Sequence, residues 1–369
     1  MEGQEGRKMR IAQVAPLYES VPPAQYGGTE RVVSYLTEEL VRQGHDVTLY
    51  ASGDSVTRAR LVPVTPRSLR LDTDAVDRMA HHIVMLEMVA RDAETYDVIH
   101  FHCDYLHFPL SRRLGVPQLT TLHGRLDIPD LQVLYREFDD MPVVSISDAQ
   151  RRPLPFAHWL GTVYHGLPLD LYTYREEPGS YFAFVGRISP EKGVDRAVEI
   201  ARRTGIPLKV AAKVDAVDRE YFETRIAPLF EDPLVEFIGE VNDRQKNELL
   251  ANARALLFPI NWPEPFGLVM TEALACGTPV IAFRHGSVPE VIDHGLTGFI
   301  VDTIDEAVEA VAMIDGINRR YCRQVFEERF SAPRMTRDYL RLYQALAETG
   351  TAMPPGVLMD TEVLAVPEA

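Results

Sequence analysis

At 369 residues the chain is long for one hydrophobic core and comfortable for two, and 46% hydrophobic with 25% charged residues is the make-up of a folded, soluble protein. A formal net charge of -16 excludes the basic footprint that nucleic acid, or broad adsorption to an anionic membrane, requires; membrane contact is at most peripheral, through a local patch. Cys103, Cys276 and Cys322 are odd in number, widely spaced and without a C-x-x-C pair, so neither a disulfide framework nor a zinc site is expected and the setting is reducing and cytoplasmic. Residues 1–8 are polar with no apolar leader, and no run reaches the roughly 18 apolar residues of a spanning helix.

Residues 10–15 read as a short buried strand. After a loop with Pro16, Pro22 and Pro23 comes Tyr26-Gly27-Gly28-Thr29-Glu30. Thr29 suits the N-cap of an amphipathic helix over 30–43, with Val32, Val33, Leu36, Leu40 and Val41 inward and Gly44 closing it. Strand, glycine turn and helix start stand in the order that cradles phosphate, an order that many ordinary tight turns share. Residues 46–51 form the next strand, and a long helix is predicted over 74–94. Asp72-Thr73-Asp74 has the form of a D-x-D metal motif, but both acids sit where helix caps and first-turn acids belong, so no metal is expected there. Residues 97–101 are a strand running into His100-Phe101-His102-Cys103-Asp104, in which a period of two puts both imidazoles on one side. A metal pair needs that, yet no third ligand is near, and hydrogen-bonded imidazoles lining a cleft are expected instead. Short strands at 118–122 and 143–146 lead to His123-Gly124-Arg125 and to Ser145-Ile146-Ser147-Asp148. Strand and helix alternating in this way predict a parallel sheet covered on both faces.

Residues 164–180 are loop-like, and a new domain begins with the strand 181–186. It leads into Arg187-Ile-Ser-Pro-Glu-Lys192-Gly193 and a helix over 194–203. Two cations before a helix N-terminus are disfavoured by its macrodipole by roughly 0.3–1 kcal/mol, a sign that a bound polyanion reverses. Arg takes phosphate oxygens as a fork and Lys as a point charge, so a diphosphate is the natural occupant, against the plainer reading of a solvated surface. Residues 208–212 form a strand followed by Lys213, a third cation, and the strand in 235–241 ends in a turn at Gly239-Glu240. Residues 306–329 are helical, and a last helix over 331–347 carries Met335, Tyr339, Leu342, Tyr343 and Leu346 on one stripe, ahead of a Pro-rich tail.

The stretch 258–301 is harder to explain by packing alone. A buried strand over 255–259 runs into a Pro-rich loop, then a helix that opens near Gly267 and closes at Gly277, then a strand over 280–283. Glu272 lies in that helix among Leu268, Val269, Ala273, Leu274 and Ala275, where a carboxylate is costly unless a donor meets it. Glu264 is two turns away and faces the same space. Two carboxylates with the N–H groups of Phe266, Gly267 and Leu268 between them suit a polyhydroxylated, anionic ligand. The structural alternative is a salt bridge and a helix-terminus charge.

Glu264-Pro-Phe-Gly-Leu-Val-Met-Thr-Glu272, followed by Ala275-Cys-Gly-Thr-Pro-Val-Ile-Ala282 and Gly286-Ser-Val-Pro-Glu-Val-Ile292, resembles the E-x7-E signature of GT-B retaining glycosyltransferases, family 4 in particular. The similarity extends from about Met9 to about Ala347. It implies an α/β fold of two doubly wound Rossmann-like domains facing across a cleft. Their expected limits are 1–165 for an acceptor-side domain, 166–180 for a linker and 181–330 for a nucleotide-sugar domain, with a helix over 331–348 crossing back and a loose tail over 349–369.

The resemblance further implies transfer of a hexose-type sugar, with retention, from a UDP- or GDP-sugar to a small-molecule, lipid or glycan acceptor, with no metal and no other cofactor. Gly186-Arg187-x4-Lys192-Gly193 resembles the family's G-R-x4-K-G, so Arg187 and Lys192 would stabilise the leaving diphosphate. Glu272 would hold the ribose, Glu264 the donor sugar hydroxyls, and Gly239-Glu240 the nucleobase through backbone atoms. Phe266, Gly267 and Leu268 would meet the donor with their amides, and His123 and the Gly27-Gly28 loop would approach it from the first domain. The departing phosphate would take the acceptor's proton. Lys213-Val214-Asp215 departs from the family, standing where many relatives have a glycine pair. The rival readings are a glycoside hydrolase using Glu264 and Glu272, a sugar-nucleotide epimerase, and a non-catalytic binding protein of the same fold.

Overall fold

The structure, a computed structural model, describes residues 7–24 and 27–349, in two compact units. The predicted tail beyond 349, and Tyr26 of the glycine loop, lie outside the described residues.

The first unit comprises Met1–Ile146, Arg151–Gly166 and Ala332–Ala369. Its parallel sheet has seven strands, β1 (Arg10–Val14), β2 (Asp46–Ser52), β3 (Arg60–Thr65), β4 (Val98–Phe101), β5 (Gln118–Thr121), β6 (Val143–Ser145) and β7 (Trp159–Thr162). They lie in the order β3-β2-β1-β4-β5-β6-β7. Apolar runs such as Ile11-Ala12 and Val98-Ile99 form strands here because helices cover both faces, so no alternation with polar residues is needed. Ala12 and Val14 pack with Met85, Leu86 and Val89 of the helix Arg78–Asp92 on one face. The helix Ala332–Thr349 packs against the helix Gly28–Arg42 and β4, and its whole predicted stripe, Met335, Tyr339, Leu342, Tyr343 and Leu346, is buried.

The second unit comprises Ser147–Gln150 and Leu167–Ser331. Its six strands are β8 (Phe182–Arg187), β9 (Leu208–Lys213), β10 (Val235–Gly239), β11 (Ala255–Phe258), β12 (Val280–Phe283) and β13 (Gly298–Val301), ordered β10-β9-β8-β11-β12-β13. Both sheets are therefore doubly wound, as expected. The winding reverses between β1 and β4 in one unit and between β8 and β11 in the other. At such a reversal the loops part at the carboxyl ends of the strands and leave a crevice.

Several local expectations are corrected. Thr29 is not a cap: the helix starts at Gly28 after Gly27, whose φ of 154° excludes most other residues, and no side chain caps it. The second long helix starts at Arg78 rather than near 74, because Asp77 accepts hydrogen bonds from the N–H groups of Met79 and Ala80. Asp72 instead closes its own turn, accepting from Asp74 N–H at 3.1 Å and from Arg67 at 3.1 Å. β3 falls where no element is predicted; it contains Pro63, which a strand at the sheet's edge tolerates because one side of its backbone is free of a ladder. The 306–329 helix is two helices, Ile304–Met313 and Arg319–Arg329, parted at Gly316 and restarted by Asn318, whose side chain accepts from Tyr321 N–H.

The stretch 167–176 is strapped to the second unit. Leu167 N–H donates to Phe330 O at 2.9 Å, Arg323 donates to the carbonyls of Leu169 and Tyr172, and Arg319 donates to that of Arg175. Among the described residues no helix is long and apolar enough to cross a membrane.

Candidate active site

In the second unit the switch point is built from two turns that hold one another. β8 ends at Arg187 and runs through Lys192 to Gly193, while β11 ends at Phe258 and runs through 259–267 into the helix Leu268–Ala275. Asn261 N–H donates to Glu191 O at 2.8 Å. Gly193, at φ 69°, brings its Cα so close that a Cβ would stand 2.2 Å from Pro259 O. On the other side Ser287 fastens the same loop, its N–H donating to Glu264 O at 3.0 Å and its Oγ to Phe266 O at 2.8 Å. Gly286 is needed for that approach, because a Cβ there would lie 2.2 Å from Glu264 O. Ser147 Oγ donates to Pro265 O at 2.6 Å, and the Glu290 carboxylate accepts from the N–H groups of Asp148 and Ala149.

On this frame Lys192 meets Glu264, and Arg187 ends the strand that leads into the same turn. Lys192 Nζ donates to Glu264 Oε2, the indole N–H of Trp262 donates to the same oxygen at 3.0 Å, and the ammonium lies 4.9 Å from the Trp262 ring centroid. Arg187 donates to Glu191, with Asp215 and Asp218 at 3.7 and 3.5 Å. Burial pushes the Glu191 carboxyl up, but its own N–H, the nearby Ser189 hydroxyl and the paired Arg187 guanidinium favour the charged form and hold it below the usual range. The chain thus supplies its own counter-charge to these cations, and the helix-dipole penalty does not by itself require a bound polyanion. Lys213 is likewise paired, with Asp215 at 3.0 Å.

Glu272 does not share Glu264's cation. It projects from the helix Leu268–Ala275 and accepts at 2.6 Å from Lys246 of the helix Asp243–Ala251, with 5% and 13% of the two side chains exposed. Lys246 is the donor that a carboxylate at this depth demands, and sequence reasoning missed it. The available signal is the capping box Asn242-x-x-Gln245, which starts the helix that carries it. Trp262, Ser287 and Glu290 were also not singled out. Gly267, at φ 75°, caps the helix, and Gly267 and Leu268 are half-exposed whereas the Phe266 ring is buried. Gly239, at φ 82°, and the exposed Glu240 stand at the end of β10, the edge strand two places from β8, apart from the Lys192–Glu264 contact.

His123, Gly27 and Gly28 belong to the first unit. His100, on β4, and His102, just beyond its end, lie on one side and are hydrogen-bonded as expected, but both are buried instead of lining a cleft: His100 pairs with Tyr343 and Thr121 at 2.7 Å each, His102 with Gln13 at 2.8 Å and His123 at 2.9 Å. His123 follows β5 and stacks on His165, centroids 5.2 Å apart. Burial pushes the His123 imidazole down to about 3, and burial, helped by neighbouring imidazoles, holds His100, His102 and His165 well below their ordinary value. At the glycine loop a Cβ on Gly27 would meet Pro23 at 2.8 Å, Gly28 is exposed, and the buried Glu30 carboxyl is raised by burial against hydrogen bonds from its own N–H and that of Glu19. Among the described residues no group of three His, Cys, Asp or Glu side chains is arranged to hold a metal ion.

Two doubly wound sheets, with paired cations and acids at the switch point of the second, are the architecture of a GT-B glycosyltransferase. Residues 174–320 match the family described as glycosyl transferases group 1 and residues 26–167 match glycosyltransferase family 4; the chain belongs to this family. Among relatives, it is 27% identical to a glycogen synthase of Mycobacterium tuberculosis, across 83% of this chain and 85% of that protein. AviGT4, a glycosyltransferase involved in avilamycin A biosynthesis, is 25% identical in its crystal structure with a TM-score of 0.70, covering 92% of this chain and 98% of that one. Anabaena HepE, solved in complex with UDP and glucose, shares the fold at 17% identity and a TM-score of 0.72, covering 92% and 100%.

Two outcomes follow. Lys246→Met leaves Glu272 buried without its donor and is expected to cost about 3 kcal/mol or more, with the Lys246→Met/Glu272→Gln protein losing less than the two single changes added together. Urea unfolding of the four proteins measures this, and strictly additive losses contradict the pairing. Second, imidazoles with depressed folded values are neutral in both states above the unfolded value of 6.5, and below it the unfolded chain takes up protons first. Stability is therefore whole at pH 7.5 and is lost as pH falls through 6.5, by roughly 1.4 kcal/mol at pH 5.5 for each such histidine. Unfolding free energies that agree at the two pH values would show that these rings are not held neutral.

Proposed function

We propose that this glycosyltransferase draws on a nucleoside-diphosphate sugar, a UDP- or GDP-sugar, bound at the β8/β11 switch point, and passes a hexose-type sugar with retention to a small-molecule, lipid or glycan acceptor. The observation that carries the reading is the meeting of Lys192 with Glu264 at that switch point, with Arg187 at the end of the strand that enters the same turn. A diphosphate and a polyol are what such a group can serve together. Lys192 and Trp262 engage Oε2 of Glu264, leaving Oε1 to accept from sugar hydroxyls. Lys246 engages Oε1 of Glu272, leaving Oε2 for the ribose diol.

In the reaction the bond from the anomeric carbon to the diphosphate breaks with its electron pair on the phosphate, where Arg187 and Lys192 offset the charge. The acceptor oxygen bonds to the anomeric carbon and its proton passes to the leaving phosphate. To serve the diphosphate, Arg187 exchanges part of its contact with Glu191 for phosphate oxygens, so binding is an ion-pair swap rather than capture by a bare cation. The amides of Phe266, Gly267 and Leu268 face the phosphates, Gly239 and Glu240 take the base, and His123 and the Gly27-Gly28 loop are assigned to the donor from the first unit. The likeness in fold to a protein holding UDP and glucose supports the donor class. The hydrolase reading is weaker because each carboxylate is engaged by its own lysine, which a two-carboxyl hydrolase does not need. An epimerase would release a rearranged sugar nucleotide without acceptor.

A thermal-shift screen of nucleoside diphosphates and their sugars identifies the donor, since ligand at 100 times its Kd adds about 2.7 kcal/mol. With it in hand, Glu272→Gln should weaken the free nucleoside diphosphate and the donor alike, about ten- to a hundredfold. Glu264→Gln should leave the free nucleotide nearly untouched and lower turnover. Calorimetric titration beside steady-state kinetics separates the two, and equal loss of nucleotide affinity in both variants would require the roles to be redrawn. Turnover is expected to persist in excess chelator; activity lost there and restored by magnesium or manganese would refute metal independence.

A further inference from the structure

The first unit carries a buried polar chain whose hydrogen-bond directions can be worked out atom by atom. Gln13, on β1, is fully buried and lies in register with His100 on β4, so both side chains point to the face covered by the helix Ala332–Thr349. Gln13 Nε2 donates to Tyr343 Oη at 3.1 Å, which leaves its carbonyl, Oε1, facing His102 Nε2 at 2.8 Å. A carbonyl only accepts, so His102 carries its proton on Nε2. A neutral imidazole has one N–H, and His102 Nδ1 is therefore a bare acceptor. Its partner at 2.9 Å is His123 Nε2, which must donate. The remaining nitrogen, His123 Nδ1, is then a lone pair, and it is a buried atom without a hydrogen-bond partner among the described residues.

We propose that Gln13 and His102 are positioning residues that fix His123 as the Nε2–H tautomer, so that its Nδ1 accepts a hydrogen bond from a hydroxyl of the transferred sugar. This rests on the assignment of His123 to the donor sugar made above. The chain extends to the last helix, where Tyr343 Oη receives the Gln13 amide proton and so occupies the Nε2 end of the amide while Oε1 faces His102. The opposite polarity, with the amide turned, would put the proton on His123 Nδ1 and offer the sugar a donor instead of an acceptor. A ring with free choice of tautomer would spend part of its time in that form, and a hydroxyl accepted by Nδ1 would be lost in proportion.

Histidine nitrogen NMR tests the tautomer directly, on the whole chain and without substrate. In protein labelled with 15N-histidine at pH 7.5, the signal that disappears in His123→Ala is expected to show a protonated Nε2 and an unprotonated Nδ1. Gln13→Met keeps the length of the side chain but removes the carbonyl, and is expected to give His123 as a mixture of tautomers. With the donor found by the ligand screen, Gln13→Met should lower kcat roughly tenfold while the Kd of the free nucleoside diphosphate changes less than twofold, a split that general loosening of the fold would not produce. Wild-type His123 protonated on Nδ1, or a Gln13→Met spectrum identical to wild type, overturns the proposal. Should Gln13→Met fail to fold, the wild-type spectrum alone still decides the polarity. Failure of the glycosyltransferase reading would look different: no donor would be turned over by the wild-type protein, with the histidine spectrum as expected.

Discussion

A carboxylate taken out of water has to be met by a donor, and the second unit is arranged around two such meetings. Lys192 reaches Glu264 from the turn after β8, and Lys246 reaches Glu272 from the helix Asp243–Ala251. Each pair ties together segments that packing alone would leave free to slide. The first holds the β8 turn against the β11 loop; the second holds two helices on one side of the sheet. Because the ion pairs are nearly enclosed, their acids are held in place, each engaged through one oxygen.

Glycines and small side chains make these meetings possible. Gly193 and Gly286 let backbone approach backbone where any Cβ would collide with a carbonyl oxygen, and Ser287 then closes the gap with two hydrogen bonds to the 264–266 loop. The loop carrying Glu264 is thus clamped from both sides before any ligand arrives.

The first unit uses the same place in the topology for a different purpose. At its reversal between β1 and β4 the buried groups are neutral amide, hydroxyl and imidazole, linked from Tyr339 through Thr121, His100, Tyr343 and Gln13 to His102 and His123. Neutral groups can be satisfied inside a sheet–helix layer without counter-ions, and a chain of them transmits orientation from one end to the other. The two units therefore share a winding but differ in what their switch points hold: directional hydrogen bonds in one, charge in the other.

By itself the sequence determined the alternation of short apolar strands with helices, the glycine-bounded helix after Gly267 and the placing of Arg187 and Lys192 at one helix start. These depend on local signals, apolar runs bounded by Gly and Pro and charges within one turn of a helix start, and such signals act over a few residues. It also led to Glu264 and Glu272, through the oddity of acids in an apolar setting. What the tertiary structure alone decided is which donor meets each acid and how the imidazoles are wired. Lys246 stands 26 residues from Glu272, and Gln13 stands 330 from Tyr343. Neither β-period nor helix-period relates such positions; only the packing of the helices Asp243–Ala251 and Leu268–Ala275 on one another, and in the first unit the strand order that sets β1 beside β4 under the last helix, brings them within a hydrogen bond.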